Sequence, residues 1–516
     1  MNLRPFLLAI RESNRGLARL VRRWAAPHGC VLTSTGPARV RPPRRNPGLA
    51  WPGAVMFVAL LILSRTVVAS PLAEAPSDPV AEAPRVIRYV SSLPPYKGRI
   101  CYGLVLADAN GIPIQVRALA DRHPELCHEG NASEPDPKVL RRAFEAADAV
   151  AALGEDDVNR EALSELLPQE HLSEVVLPPV GINQAQLDSL QRFVIGVGLN
   201  YVEHREEVGE DDHPDKLLVF PKPVPPTGAY HPVNAGVQIG EDPPQPVLLL
   251  DYEVELGLVL LSDIDLTDLP PNYEAFIENV AFFTANDVSD REPIILDEET
   301  GYTRGKSHPT YLPVGPWMVH GRHLRPRTRE EGEHSLEIGA VVLQIQPPEE
   351  TPVGELPFGE ERQLSTTDAM LRGPWAIIRY LSEIFRRGEI VCMRDAGGLP
   401  RFVHDAKGVI PAGSIILTGT PGGTAIREPR LLEKAESFLL GGFTIEGAKK
   451  AFIEDVEEHI AESAYLEPGD KVESWVESLG QQRWSVVADP DPEPYGAESS
   501  SAACESGARP HRLNPR

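Results

Sequence analysis

Leu250-Asp251-Tyr252-Glu253-Val254-Glu255-Leu256-Gly257 alternates acids with apolar residues. A period of two predicts a strand, whose side chains turn to opposite faces in succession. Glu253 and Glu255 then share one face, with Asp251 beside them, and Tyr252, Val254 and Leu256 turn into an apolar layer. The flanks, Pro246-Val247-Leu248-Leu249 and Leu258-Val259-Leu260-Leu261, are too apolar for a strand lying wholly at the surface. Carboxylates buried together need a compensating charge. A hard divalent cation with oxygen ligands is one answer. A half-exposed strand with a solvated acidic face is the other, and the stretch alone leaves both open.

The chain has 516 residues, enough for two or three domains. Hydrophobic residues make up 42% and the mean hydropathy is −0.21, so most of the chain reads as globular. The 51 prolines favour turns and loops over long helices. The net charge of −25 is unevenly spread: residues 1–50 hold ten arginines against Glu12, a net of +9, which leaves −34 for the rest. A body that acidic is not a nucleic-acid binder, nor does it suit an anionic membrane surface. Of the five cysteines, none is spaced as a zinc pair or a redox CxxC motif. Cys101 and Cys127 form a disulfide if the chain is exported, and otherwise stand as two thiols.

Residues 1–69 read as a basic segment followed by a signal or anchor sequence. Gly48–Ser64 is uncharged and apolar, densest at Ala54–Leu63, and Val67-Val68-Ala69 offers a small-residue cleavage site. The basic flank lies upstream, which places the body outside the cytoplasm, exported or anchored through residues 48–64. A start codon placed too early (a cytoplasmic protein) and an organellar transit segment are the alternatives. Residues 70–85 read as a linker, 86–189 as a small α+β region, 190–488 as the main β-rich domain, and 489–516 as a disordered tail. Apolar spacing predicts helices at Lys138–Leu153, Glu161–Leu167, Tyr273–Ala285, Met370–Phe385 and Arg430–Leu466. Strands are expected at Phe193–Asn200, Leu217–Lys222, Gly413–Leu417 and within Gly469–Val487.

Several polar groups join the acidic strand. Asp287 lies in Ala285–Glu292, about thirty residues after Glu255, and a third carboxylate from a later element is what a hard-cation site needs. It reads equally as a helix cap. Gly-Thr-Pro-Gly-Gly (Gly419–Gly423) follows an apolar strand and exposes N–H groups and a hydroxyl suited to a carboxylate. A tight turn explains the glycines as well. Lys306 either pairs an anion or sits at the surface. His204 and Glu207 share a face if Tyr201–Glu207 is helical, as a catalytic pair or as a surface ion pair.

Together, VGLNYVEH (Val197–His204), DYEVELG (Asp251–Gly257), NDVSDRE (Asn286–Glu292), GKS…PVGPW (Gly305–Trp317) and LTGTPGG (Leu417–Gly423) resemble, in order and spacing, the motifs of the fumarylacetoacetate hydrolase family, in its acylpyruvase or 2-hydroxyhepta-2,4-diene-1,7-dioate isomerase-like branch. The resemblance covers roughly Leu190–Asp489. It implies an α+β, β-rich fold, a mixed β-sandwich or roll with short helices, and a homodimer. It implies Mg2+ or Mn2+, or Ca2+ in some members, on Glu253, Glu255 and Asp287. Arg291, Lys306, Thr420 and Gly419 fall at substrate-binding positions, and His204, Glu207 and Lys306 at catalytic ones. Substrates are then small 2-oxo or β-diketo acids. Cleaving a C–C bond beside a carbonyl leaves a carbanion, which a metal on that carbonyl delocalises as an enolate. His204, oriented by Glu207, would deprotonate water. The expected function is a divalent-metal-dependent hydrolase of acylpyruvate or fumarylacetoacetate type. A decarboxylase, isomerase or hydratase on the same site, and a non-catalytic exported organic-acid-binding protein, are the alternatives. The chain departs from the family pattern at His308-Pro309, Asp290 and Glu292, and segments near 387–407 and 424–468 look inserted.

Overall fold

The acidic strand lies in the middle of a sheet because its apolar half has packed layers to enter on both sides. The computed structural model describes residues 83–120, 123–129, 138–153, 164–208, 217–236, 247–297, 300–343, 359–426, 444–458 and 463–488. They belong to the second of two units, Glu74–Arg516; the first, Met1–Ala73, lies outside the described residues, and with it the apolar run 48–64. The expected tail 489–516 lies outside them too. Among the described residues no helix is long and apolar enough to cross a membrane.

The strands used below are, in chain order, β1 (Arg85–Val90), β2 (Ile100–Ala109), β3 (Ile112–Ala118), β4 (Ser164–Leu166), β5 (Val194–Gly198), β6 (Leu218–Pro221) and β7 (Val254–Leu260). They continue with β8 (Val280–Asn286), β9 (Trp317–His320), β10 (Glu337–Leu343), β11 (Glu360–Thr366), β12 (Ile415–Leu417), β13 (Lys471–Val476) and β14 (Gln481–Val487). The helices are α1 (Lys138–Ala151), α2 (Val202–Glu207), α3 (Arg291–Leu296), α4 (Gly301–Lys306), α5 (Pro374–Arg386) and α6 (Ile445–Glu458).

A mixed sheet runs in the order β4-β3-β2-β1-β9-β8-β7-β12-β5-β6, and a second runs β11-β10-β13-β14 and ends on Val233–Asn234. Val254, Leu256, Leu258 and Leu260 of β7 share one core with Ile338, Ala340, Val472 and Trp484 of the second sheet. Val259 and the β8 residues Ala281, Phe283 and Ala285 join the other core with Leu140, Ala143, Phe144 and Ala147 of α1. The first sheet is thus covered by strands on one face and by a helix on the other, an α+β, β-rich sandwich of mixed strands. The sheet passes without a break from the 86–189 region into the rest, since β1 pairs antiparallel with β9. Cys101 and Cys127 are bridged by a disulfide between adjacent strands.

Register places the acids. β7 and β8 are antiparallel, with Val254 opposite Asn286 and Glu255 opposite Ala285. Asp287, one residue past the end of β8, donates its N–H to the Glu253 carbonyl at 2.8 Å. Two of the expected helices are corrected. Tyr273–Ala285 is a single helical turn, Tyr273–Ile277, followed by β8, and Glu161–Leu167 contains the edge strand β4 rather than a helix. The segment near 387–407 carries a two-stranded hairpin, Cys392–Arg394 with Pro400–Phe402.

Candidate active site

Glu253, Glu255 and Asp287 are all buried, and one ligand atom from each lies within 4.8 Å of the others. Such crowding of like charge holds only with cations woven through it. Arg291, the first residue of α3, donates to Asp251 Oδ2 at 2.8 Å and to Glu253 Oε1 at 2.5 Å. Lys306, the last residue of α4, donates to Glu253 Oε2 at 2.6 Å and to Asp287 Oδ2 at 2.8 Å. Lys222 Nζ lies 2.6 Å from Asp287 Oδ1 and donates to the carbonyls of Val288 and Lys306. Asp287 Oδ1 has no aligned hydrogen bond besides that ion-pair contact.

Burial alone would raise the Glu253 carboxyl, but Lys306 and Arg291 outweigh it and hold it well below the carboxylate range. Glu255 goes the other way: burial, then Asp287 and Glu253, push it well above that range, although Gly419 N–H donates to its Oε2 at 2.6 Å. Burial would lower the Lys306 ammonium; Asp287 and Glu253 outweigh that and raise it. For Lys222 burial wins, and it falls to about 8 despite Asp287.

The residues fit a divalent cation. A hard ion about 2.0–2.6 Å from each oxygen spans donors at this spacing, and three carboxylates are the oxygen set that Mg2+, Mn2+ or Ca2+ takes. The Glu255 carboxyl, buried and crowded by Asp287 and Glu253, is the group whose ionised form such an ion would stabilise.

His204 and Glu207 lie on α2, three residues apart and on one face, with His204 Nδ1 3.6 Å from Glu207 Oε2. Both atoms are buried without a hydrogen-bond partner, so each faces the other across a gap slightly too long to bond. Glu207 is fixed from behind by Gly423 N–H, which donates to its Oε1 at 2.7 Å. Gly423 has φ +95°, and a Cβ there would overlap the Arg362 carbonyl, so that donor position requires glycine. Ahead of α2, buried Asn200 accepts from Arg372 N–H at 2.9 Å and donates to the carbonyls of Arg372 and Thr418. It ties the α2 loop to the glycine-rich turn.

Thr420 Oγ1 donates to the Val254 carbonyl at 2.9 Å and accepts from Gln363 Nε2 at 2.8 Å. Gln363, fully buried on β11, also accepts from Val254 N–H at 3.0 Å. The hydroxyl expected to hold a substrate carboxylate is therefore already oriented by two partners. The Gly419 N–H donates to Glu255 Oε2 at 2.6 Å.

A cavity of about 180 Å3 opens beside these groups. His204, Glu253, Arg291, Lys306 and Thr420 line its polar side. The apolar side includes Phe220, which lies flat on Gly196 of β5 where any Cβ would collide with its ring. Of the departures from the family pattern, His308 is buried and stacks on Tyr311 at 4.7 Å, and Asp290 caps α3 by accepting from Glu292 N–H at 3.1 Å. Asp251 binds Arg291 and the N–H groups of Ala425 and Ile426, so it is a scaffold for the site. Lys222 and Gln363 are the functional-site residues that the motifs did not single out.

Residues 193–487 match the sequence model described as Fumarylacetoacetate (FAA) hydrolase C-terminal. The chain belongs to the fumarylacetoacetate hydrolase family, which places it among the hydrolases and isomerases of that superfamily. A Burkholderia multivorans protein named as a hydrolase is 28% identical over 236 residues, covering 44% of this chain and 70% of that relative. Another, from Burkholderia cenocepacia, is 34% identical over 129 residues, 24% of this chain and 40% of the relative. Among solved structures, a fumarylacetoacetate hydrolase from Exiguobacterium antarcticum is 20% identical, with a TM-score of 0.46 over 79% of this chain and 100% of that one. A 2-hydroxyhepta-2,4-diene-1,7-dioate isomerase from Mycobacterium marinum gives 18% and 0.42, over 79% and 99%.

Proposed function

We propose that the protein is a divalent-metal-dependent hydrolase that cleaves a C–C bond in a small 2-oxo or β-diketo acid. The observation that carries this reading is the convergence of Glu253, Glu255 and Asp287 within 4.8 Å, beside a cavity that His204 also lines. A divalent ion held by those carboxylates would supply Lewis acidity to the substrate's 2-oxo group. The chain's own residues supply the rest. With Nδ1–H turned to Glu207, His204 keeps Nε2 as the acceptor that takes a proton from water. Lys306 stays an ammonium, so it stabilises negative charge that develops on the substrate and is not a base. Thr420, held by Gln363, exchanges its bond to Val254 for one to the substrate carboxylate. Arg291 keeps Asp251 and Glu253 in place at the cavity wall. The homodimer is part of the proposal, to be read by light scattering.

The test has two arms on purified protein. Calorimetry with Mn2+ should show tight binding to the wild type and a loss of at least about tenfold in Glu255→Gln. His204→Ala should bind the ion normally and hydrolyse a 2,4-dioxo acid about 10²–10⁴ times more slowly, since one general base is worth that much. Decarboxylation needs no activated water, so any decarboxylase activity should survive in that variant. Unchanged ion affinity in Glu255→Gln, or full hydrolysis without His204, overturns the respective assignment.

A further inference from the structure

Helix α5 begins without a cap of its own. Its N-cap is Gly373, and Pro374 follows at the first helical position. A serine or aspartate at the N-cap would accept from the N–H groups two and three residues on. Glycine has no side chain to do so. The acceptor comes instead from the loop after β9. Trp375 N–H donates to Glu331 Oε1 at 2.7 Å, and Ala376 N–H bonds the same carboxylate. That loop is closed on itself, with Arg327 N–H on the His334 carbonyl and Glu333 N–H on the Arg325 carbonyl. Gly373 lies so close to Glu331 that a Cβ there would overlap Oε1. Glu330 adds ion pairs to Arg372 and Arg379 at 3.1 and 3.3 Å, exposed and so worth little alone.

The residues that enter α5 are bonded to the start of α2. Arg372 N–H donates to Asn200 Oδ1, and the Arg372 carbonyl accepts from Asn200 Nδ2, both at 2.9 Å. Leu371 N–H donates to the Asn200 carbonyl at 2.8 Å, and Met370 bridges Tyr201. Tyr201 is the N-cap of α2, which carries His204 and Glu207. The far end of α2 is held separately, by Glu207 on Gly423 N–H. The body of α5 is also fixed separately, because Trp375, Ile377, Ile378 and Leu381 belong to the main core. Without its cap the helix therefore stays in place, and the residues released are 370–373, which Asn200 and Tyr201 meet. Movement there shifts the near end of α2, and with it His204 relative to Glu253 across the cavity that both line.

We propose that Glu331 is a positioning residue for His204, acting through the entry into α5 and through Asn200. This rests on reading His204 as the general base, and it adds what holds that base in place. Burial raises the Glu331 carboxyl to about 7 despite both N–H donors. At neutral pH the cap does not depend on a full negative charge, so an amide oxygen can replace it.

The experiment uses the full-length protein with Mn2+ present and four variants: Glu331→Ala, Glu331→Gln, Gly373→Ala, and Glu331→Ala combined with Gly373→Ala. Urea unfolding first establishes conditions in which each is folded. Glu331→Ala should lower kcat on a 2,4-dioxo acid by up to about a hundredfold, the cost of a group misplaced by about 1 Å. Its KM and its Mn2+ affinity should stay within about twofold of wild type, because neither depends on the base. Glu331→Gln keeps the acceptor and should retain kcat within about twofold. Gly373→Ala, whose methyl displaces the carboxylate, should match Glu331→Ala, and the combined variant should fall no further. Amide exchange along α2 should rise about tenfold in Glu331→Ala and stay unchanged in β7, a readout that needs no substrate. Faster exchange at the start of α5, with α2 exchange and kcat both at wild-type values, would overturn the proposal. A full loss of kcat in Glu331→Gln, or a rise in KM in place of the fall in kcat, would overturn it as well. Faster α2 exchange in Glu331→Ala, when the wild type cleaves no 2,4-dioxo acid, would leave the linkage to α2 standing and remove the hydrolase reading.

Discussion

Gln363 is a residue whose weight in the site exceeds anything its sequence position suggests. Its amide bonds Val254 N–H on one side and the Thr420 hydroxyl and Pro421 carbonyl on the other. Gln363→Leu should leave Val254 N–H buried without an acceptor, a cost of about 1–3 kcal/mol. It should also raise KM with little change in kcat, because Thr420 loses its orientation for binding. Urea unfolding and steady-state kinetics check both, and a wild-type KM would mean that Thr420 does not hold substrate. Asp290 gives a second test. Burial raises its carboxyl from the usual range to about 8, outweighing the hydrogen bond from Glu292 N–H and the charge of Arg304. Below about pH 4 both folded and unfolded forms are protonated and nothing is lost. Between about pH 4 and 8 only the unfolded form ionises, so stability falls as pH rises, by up to about 1.4 kcal/mol per unit. Asp290→Asn should lack that slope in urea titrations at pH 5 and 7.5. Identical slopes would mean that Asp290 is ionised when folded, with Arg304 as its partner. At this scale the three carboxylates and the His204–Glu207 pair were legible, because their motifs carry spacing. Lys222 and Gln363 were not, since a lone lysine after a strand and a glutamine in a polar run acquire meaning only from partners far along the chain.

Elements were legible where one face is apolar and obscure where both are. α1 buries a single stripe, and its spacing predicted Lys138–Leu153 against Lys138–Ala151 observed; α5 was expected at Met370–Phe385 and begins four residues later, at Pro374. β8 is Val-Ala-Phe-Phe-Thr-Ala-Asn, buried at every position between two cores, so its period of two disappears and the run reads as a helix. β4 is three residues long at a sheet edge, too short to show any period. The segment 424–468 has a clearer logic in the fold than in the sequence. It leaves the glycine-rich turn at Ile426 and returns through α6, whose Ile453 packs with Leu249, Ala425 and Tyr465 and against Ile295 and Leu296 of α3. One side of α3 faces the cavity and another supports this small cluster. Ile453→Ala should therefore cost about 2 kcal/mol locally, roughly a thirtyfold rise in amide exchange along α6. Exchange in β7 and β8 should stay at the wild-type rate. Equal acceleration throughout would show instead that the cluster is part of the main core.

Across the whole molecule, the continuous sheet binds the 86–189 region to the site, whose cavity none of that region's described residues lines. β1 pairs with β9, β9 with β8, and β8 carries Asp287 at its end. The sheet therefore joins strands from both sides of residue 189. The disulfide reinforces that outer part. Cys101 and Cys127 are 26 residues apart, a loop whose closure is worth about 3.5 kcal/mol in the chain-entropy picture. Thiols in the cytosol are kept reduced, so this stabilisation is available chiefly in an oxidising compartment. The basic segment and apolar run before residue 70 predict delivery to such a compartment, and the two features can be tested together. Residues 1–85 fused to a reporter active only outside the cytoplasm should give signal. Full-length protein recovered from that side should resist thiol labelling at Cys101 and Cys127. A version lacking residues 1–69, retained in the cytoplasm, should be labelled at both and unfold more easily by about 3.5 kcal/mol. A silent reporter made in normal amounts, together with labelled thiols in the full-length protein, would point to a misplaced start or to organellar import. The pairing of the two readouts matters because each has a separate cause: the reporter reads the leader, and the thiols read the chemistry of the place where the sheet folds.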